Sequence, residues 1–322
     1  MLFRNIEEKD VYNKIREIKN LSLCSHRDAD GAYSAAIFSS VFNISGIEFP
    51  ELFGDYDDRF HISLDLGEPL GEWHGIAIDH HVHSEREDYS LIWDQVPTGL
   101  VLFKLFRDRI PEKEYWKVAG SLVGDMQSFL IPLEIFQKCP ILLEKRGTVY
   151  KDNYGNLKTY SYFVYKLLAS PVNASCRTGK ATTAFEIIKR SESPDDILSN
   201  PVFMNDQREV NAEIDSVIKD LGKDRKRNTT ILKDTFVIVP ISSRFFIASR
   251  IASALADVGK DMVFIVVNED QKEISIRGDL TSMIVGKLRE AGIMAGGHAE
   301  AAGGSLGDKT FDDVVEALRK SL

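Results

Sequence analysis

The sequence predicts an α/β protein: a mainly parallel sheet in the first half, a helical linker, and a smaller α/β unit toward the C-terminal end. Three observations carry this expectation. Short apolar runs alternate with helical periods through the first half, as strands joined by crossover helices do. A polar, proline-broken stretch at residue 191 interrupts that rhythm and leads into an amphipathic helix. After Thr229 strand and helix patterns resume, and the chain has 322 residues, enough for two domains with a core each.

In the first half the strand candidates are Leu21–Cys24, Ile47–Phe53, His61–Leu64 and Gly75–Ile78. A helix is expected from Gly31 through AYSAAIFSSVF, and another after Thr98, whose hydroxyl suits an N-cap, through GLVLFKLFRDRI. Three strand candidates run into an aspartate (Asp30, Asp65, Asp79) at the end where open α/β sheets gather their ligands. Residues 146–160, RGTVYKDNYGNLKTY, read as a loop or short hairpin. SESPDD breaks the helical pattern, and NDQREVNAEIDSVIKDLG then sets Val210, Ile214, Val217 and Leu221 on one stripe before KDRKRN. TTILKDTFVIVPI and DMVFIVV read as strands around a helical RFFIASRIASALADVG. KEISIRGD alternates as a strand, DLTSMIVGKLREAG reads as a helix, and the glycine-rich AGGHAEAAGGSLG precedes a final helix, FDDVVEALRKSL. The expected domains are 1–190, a linker over 191–228, and 229–322.

Hydrophobic content of 43% and charged content of 28% describe a soluble globular chain. No run approaches the roughly 20 apolar residues of a membrane span. The N-terminal MLFRNIEEKDVYNKI lacks the apolar core of a secretory signal, and Cys24, Cys139 and Cys176 have neither disulfide-framework nor zinc spacing, so a cytoplasmic protein is expected. A net charge of −9 excludes a broad basic surface that grips duplex DNA nonspecifically, though it does not exclude a local groove for nucleic acid.

Function is concentrated in SHRDADG (Ser25–Gly31) and IDHH (Ile78–His81), each placed after an apolar run. Carboxylates and imidazoles crowded at the ends of buried strands are costly unless a metal or substrate uses them. In extended backbone the i, i+2, i+4 spacing of His26, Asp28 and Asp30 would put all three on one face. Ordinary exposed polar groups at strand ends are the competing explanation. KDRKRN reads as a solvated helix end with nucleic-acid contact as its alternative, and His61, His74 and His83 carry no assigned role.

With these residues laid out, the chain resembles the DHH phosphoesterase superfamily, in its RecJ-like branch with a DHH-associated C-terminal domain. HRDADG (26–31) matches the first motif, SLDLG with Asp65 the second, Asp79-His80-His81 the third, and VGDM with Asp125 the fourth. PVNASCRTGK (171–180) is similar to the PxNAxGRxG segment of RecJ-type nucleases, with Cys176 where glycine is usual. GGHAEAAGG (296–304) and SIRG with Arg277 match the C-terminal domain. In size the chain resembles compact archaeal-type or nanoRNase-type members, without room for the extra domain of larger RecJ enzymes.

The resemblance implies two cations, with His26 and Asp28 on one, Asp30, His80 and Asp125 on the other, and Asp65 on both. Hard oxygen donors with a few imidazoles suit Mn²⁺, with Mg²⁺ as the alternative. Asp65, Asp79 and His81 are the catalytic candidates. Asp79 is expected to orient an imidazole, and His81 either to support a ligand from behind or to face phosphate, because neighbours on a strand point oppositely. Asn173, Arg177, Arg277, Gly296, Gly297 and His298 are the expected substrate contacts, with the active site in an interdomain cleft. The implied activity is metal-dependent exonucleolytic hydrolysis of single-stranded DNA or RNA. The alternatives are a phosphodiesterase for nanoRNA or cyclic dinucleotides, and a Cdc45-like replisome scaffold. A replisome partner such as GINS is compatible with an active enzyme. Cdc45-type relatives have lost metal ligands, whereas all six candidate positions are intact here.

Overall fold

The structure is a computed structural model that describes the whole chain except residues 52–53, 152–156, 224–228, 260, 298–299 and 322. It divides into two units, Met1–Cys176 with Lys180–Gln207, and Arg177–Gly179 with Arg208–Leu322.

In the first unit β1 (Leu2–Arg4) and α1 (Glu8–Glu17) precede β2 (Ser22–Ser25), α2 (Ala29–Val41), β3 (Gly46–Glu48), β4 (Ile62–Leu64), β5 (Ile76–Asp79) and β6 (Ser90–Trp93). The six strands form one sheet in the order β1-β6-β5-β4-β2-β3, parallel throughout except for β1 against β6. The helical half follows: α3 (Thr98–Phe106), α4 (Tyr115–Gly124), α5 (Leu133–Lys138), then the hairpin β7 (Lys145–Lys151) and β8 (Leu157–Phe163). Next come α6 (Val164–Leu167), α7 (Ala169–Arg177), α8 (Ala181–Arg190), α9 (Pro194–Leu198) and α10 (Pro201–Lys223), the last crossing the division between units.

The sheet is buried on both faces, as parallel sheets are. Alternation along the strands sends Leu23, Ile76, Ile78 and Ile92 into the large core with α2, while Cys24, Ala77 and Leu91 enter a second cluster around Trp73, Tyr56 and Phe60. Residues Ala29–Phe38 of α2 are buried all round, and its alanines let α4 and α8 approach closely. In α9, Ser193 and Asp196 form a reciprocal capping box, with Pro194 at the first helical position.

The second unit contains β9 (Thr230–Leu232), β10 (Phe236–Ile241), α11 (Ala248–Val258), β11 (Val263–Asn268), β12 (Glu273–Arg277), α12 (Thr281–Glu290), β13 (Met294–Gly297), β14 (Ala301–Ser305) and α13 (Phe311–Ser321). Its sheet runs β13-β14-β12-β11-β10-β9, with only β10 and β11 parallel, joined through α11. Ile238, Ile265, Ile276, Ile284 and Leu318 lie in its separate core.

Several sequence expectations are corrected. The strand expected over Ile47–Phe53 is only Gly46–Glu48, ending before Pro50, and residues 52–53 lie outside those described. Thr98 is the first residue of α3 rather than its cap, which is Pro97. The glycine-rich segment is a β-hairpin: Gly296 pairs with Gly303, and Gly297, at φ +146°, opposes Ala302 so closely that a Cβ would lie 2.4 Å from the Ala301 carbonyl oxygen. Of KDRKRN, only Lys223 is described. No described helix is long and apolar enough to cross a membrane.

Candidate metal centre

β2 ends at Ser25 and turns directly into α2. His26 leaves the strand, Asp28 is the N-cap accepting the Gly31 N–H at 2.9 Å, and Asp30 lies in the first helical turn. The turn admits only glycine at its end, since a Cβ on Gly31 would lie 2.0 Å from the His26 carbonyl oxygen. The expected extended backbone is therefore wrong. His26, Asp28 and Asp30 are brought inward by a strand-to-helix turn, which the i, i+2, i+4 spacing does not describe.

Asp65 follows β4 at φ +62°, a strained conformation for a residue with a Cβ, and is 1% exposed. Its Oδ1 lies 3.0 Å from His80 Nε2 and 3.8 Å from His81 Nδ1, and accepts the Thr98 hydroxyl at 3.3 Å. Its Oδ2 lies 3.7 Å from His26 Nδ1, which is 3.0 Å from Asp28 Oδ2. Asp125, capping the C-terminal end of α4, places Oδ2 3.2 Å from His80 Nε2. Asp30 is fully buried and accepts the N–H groups of Thr98 at 2.9 Å and Gly99 at 3.3 Å, and the hydroxyls of Ser34 and Ser121.

His80 and His81 lie beyond the last residue of β5, so strand alternation does not apply, and both rings turn toward Asp65 instead of to opposite sides. Asp79, which ends β5, is fully buried. It accepts the backbone N–H groups of Gly67, His80 and His81, and lies 2.7 Å from His81 Nδ1 and 3.2 Å from His83 Nε2. His83 Nδ1 is 2.7 Å from the Tyr89 hydroxyl. Sequence reading assigned His83 nothing; its i+4 distance from Asp79 was the available signal, but only the turn after β5 brings it back. Thr98 and Ser121 were missed because they are small hydroxyls on helices distant in sequence from the aspartates they donate to, and Ser34 because a serine one turn after Asp30 in a helix carries no signal of its own.

Three donor groups result: His26, Asp28 and Asp65; Asp30, His80 and Asp125; and Asp65, Asp79, His80 and His81, with the donor atoms of each within 4.8 Å of one another. All six residues expected to hold metal fall in these groups. Burial pushes the Asp125 carboxyl up to about 7, helped by the Asp65 charge. Burial and the charges of Asp65 and Asp125 also push Asp30 well up. Burial opposes a charge on His80, but Asp65 and Asp125 overcome it and push the imidazole up to about 10. Burial likewise works against the Asp65 carboxylate, and hydrogen bonds from His26 and His80 outweigh it, holding Asp65 below the usual range. In Asp79 burial is outweighed by His81 and His83, again lowering the carboxyl. Converging carboxylate oxygens and imidazole nitrogens are the donor set of a hard divalent cation, and the residues fit one.

The expected substrate contacts are distributed over both units. Asn173, in α7, accepts the Ala29 N–H at 2.8 Å and so steadies the first turn of α2. Cys176 is buried inside α7, which continues through it as a regular helix, so that position needs no glycine. The Arg177 carbonyl accepts the Phe246 N–H within the second unit. Arg277, half-buried on β12, donates to the carbonyls of Ile276 and Ala302 and to the hydroxyls of Ser253 and Ser275. His298 lies outside the described residues. His74 is exposed and paired with Asp58, apart from the donor groups.

No family model and no curated sequence matches the chain. Solved structures do. Exonuclease RecJ bound to manganese is 12% identical with a TM-score of 0.61, over 97% of this chain and 92% of that one. The fold is that of the RecJ-like DHH proteins. RecJ from Thermus thermophilus in complex with Mn²⁺ is 13% identical (TM-score 0.62), covering 98% of this chain and 54% of that one, so this chain spans about half its length. Cdc45 from Entamoeba histolytica is 10% identical (TM-score 0.57) over 98% of both chains. At these identities the RecJ-like likeness is one of fold.

Proposed function

We propose that this chain is a two-metal-dependent phosphodiesterase that removes nucleotides from the ends of single-stranded DNA or RNA. The observation that carries the reading is the meeting of four separated motifs in overlapping donor groups, with Asp65 and His80 each common to two of them. His26 and Asp28 would hold one cation, Asp30, His80 and Asp125 the other, and Asp65 both. Two divalent cations, Mn²⁺ or Mg²⁺, supply activation of water and neutralisation of charge on the attacked phosphodiester.

The chain's own residues do the positioning. Asp30 is fixed by two N–H groups and two hydroxyls, so its carboxylate is oriented before any ligand arrives. His81 Nδ1 is held 2.7 Å from Asp79, which fixes the orientation of the ring that would face a phosphate. The resemblance implies Asn173, Arg177, Arg277, Gly296, Gly297 and His298 as the substrate contacts. The likeness to Cdc45 brings a scaffold into consideration, but a complete donor set supports hydrolysis.

Asp65→Asn is the clean test, because asparagine tolerates the left-handed backbone while losing the charge. End-labelled single strands of several lengths, and a cyclic dinucleotide, would be incubated with Mn²⁺ and the products sized. The expected outcome is stepwise shortening of single strands by the wild type and none by a folded Asp65→Asn protein. Cleavage confined to dinucleotides would favour the short-substrate alternative, and full activity of Asp65→Asn would end the two-metal assignment.

A further inference from the structure

The hairpin β7–β8 has no part in the metal centre, yet its composition is unlike the rest of the chain. Residues 145–163 hold four cationic side chains and one acid within a protein of net charge −9. At its root one face is packed: Phe163 stacks on Tyr165 at 5.8 Å, with Lys145 over its ring. On the other face Tyr160 and Tyr162 are 40% and 42% exposed, with rings 6.2 Å apart and 20° from parallel. The register sets Tyr162 opposite Arg146 and Tyr160 opposite Thr148, and the next pair of the same parity is Tyr150 with Lys158. Arg146 is itself anchored by Glu144 and Asp195, which fixes the hairpin's base.

Tyrosine favours strands, so a single exposed ring would need no explanation. Here two exposed rings repeat at the two-residue period of a strand, with a cationic residue, Arg146, paired across from Tyr162. An open sheet face bearing aromatic rings is how several folds stack the bases of a single strand. We propose that this face of β7–β8 is a stacking platform for single-stranded DNA or RNA, separate from the metal centre. The nature of the ligand rests on the phosphodiesterase reading, but a platform outside the metal centre goes beyond it: strands long enough to reach the hairpin should bind better than dinucleotides.

The test measures binding without hydrolysis. Fluorescence anisotropy of a labelled oligothymidylate of about twenty nucleotides would be followed in EDTA with the full chain and with Tyr160→Ala/Tyr162→Ala. Loss of two stacking rings should weaken binding about tenfold or more, and Tyr160→Phe/Tyr162→Phe should retain it. Hydrolysis of a dinucleotide in Mn²⁺ and the circular dichroism spectrum should be unchanged in both variants. Equal affinity of the alanine variant and the wild type overturns the platform, as does a wild type that binds no oligonucleotide. A parallel loss of dinucleotide hydrolysis overturns it too, by showing that the tyrosines act through the fold. Ring-dependent binding by a wild type that hydrolyses nothing supports the platform and removes the phosphodiesterase reading.

Discussion

His83 reaches the candidate metal centre through another residue. It lies 3.2 Å from Asp79, which in turn lies 2.7 Å from His81, and its other ring nitrogen is 2.7 Å from the Tyr89 hydroxyl. Removing such a support usually costs about ten- to a hundredfold in metal affinity or activity. His83→Ala should therefore lower kcat by that order while the protein stays folded, measured by steady-state kinetics alongside circular dichroism; unchanged kcat and Mn²⁺ affinity would remove the role. The raised groups give a pH dependence. Asp125 is pushed up to about 7 and His80 up to about 10, so in the metal-free protein both hold protons below pH 7 that a cation must displace. Mn²⁺ affinity should rise with pH as Asp125 loses its proton through pH 7. Calorimetry in buffers of different ionisation enthalpy should show proton release that declines above that pH, and a pH-independent affinity would contradict the assignment.

At the scale of elements, the turn from β2 to α2 tolerates little change. Gly31→Ala would push a Cβ against the His26 backbone, whose carbonyl oxygen, carbon and nitrogen are all within 3 Å of it, and backbone has no rotamer to yield. The variant should lose about 1–3 kcal/mol or more in urea denaturation and bind Mn²⁺ more weakly, because His26 and Asp28 move with the turn. Strands β2, β4 and β5 were legible because they are buried and read as apolar runs. β1 and β6 were not: their ends are exposed or half-buried, their flanks carry no pattern, and β1 pairs antiparallel at the edge. The aspartates and histidines stood out by type. How they meet did not, since Asp65 relies on a positive φ and His81 on leaving its strand, and neither leaves a periodic trace.

For the whole molecule, each unit has its own core, and the donor groups found among the described residues lie in the first. A ligand stabilises only what holds it, by about 2.7 kcal/mol at a hundredfold excess over Kd. Differential scanning calorimetry should show one transition moved up by Mn²⁺ and another unmoved; a uniform shift of all melting would contradict independent cores. The order of residues along the chain has a consequence for synthesis. The six donors, His26 to Asp125, all leave the ribosome before Phe185, Ile188, Ile197 and Phe203, which complete the core behind them. From Asp125 until Phe203 emerges, the nascent chain carries every ligand without the packing that sets their geometry. Ion choice at that stage follows intrinsic ligand affinity, which favours copper and zinc over manganese. In the proposed manganese enzyme, selection of the weaker-binding ion would have to come after Phe203 docks, and an incorrectly loaded chain would have to exchange its metal during that closing step.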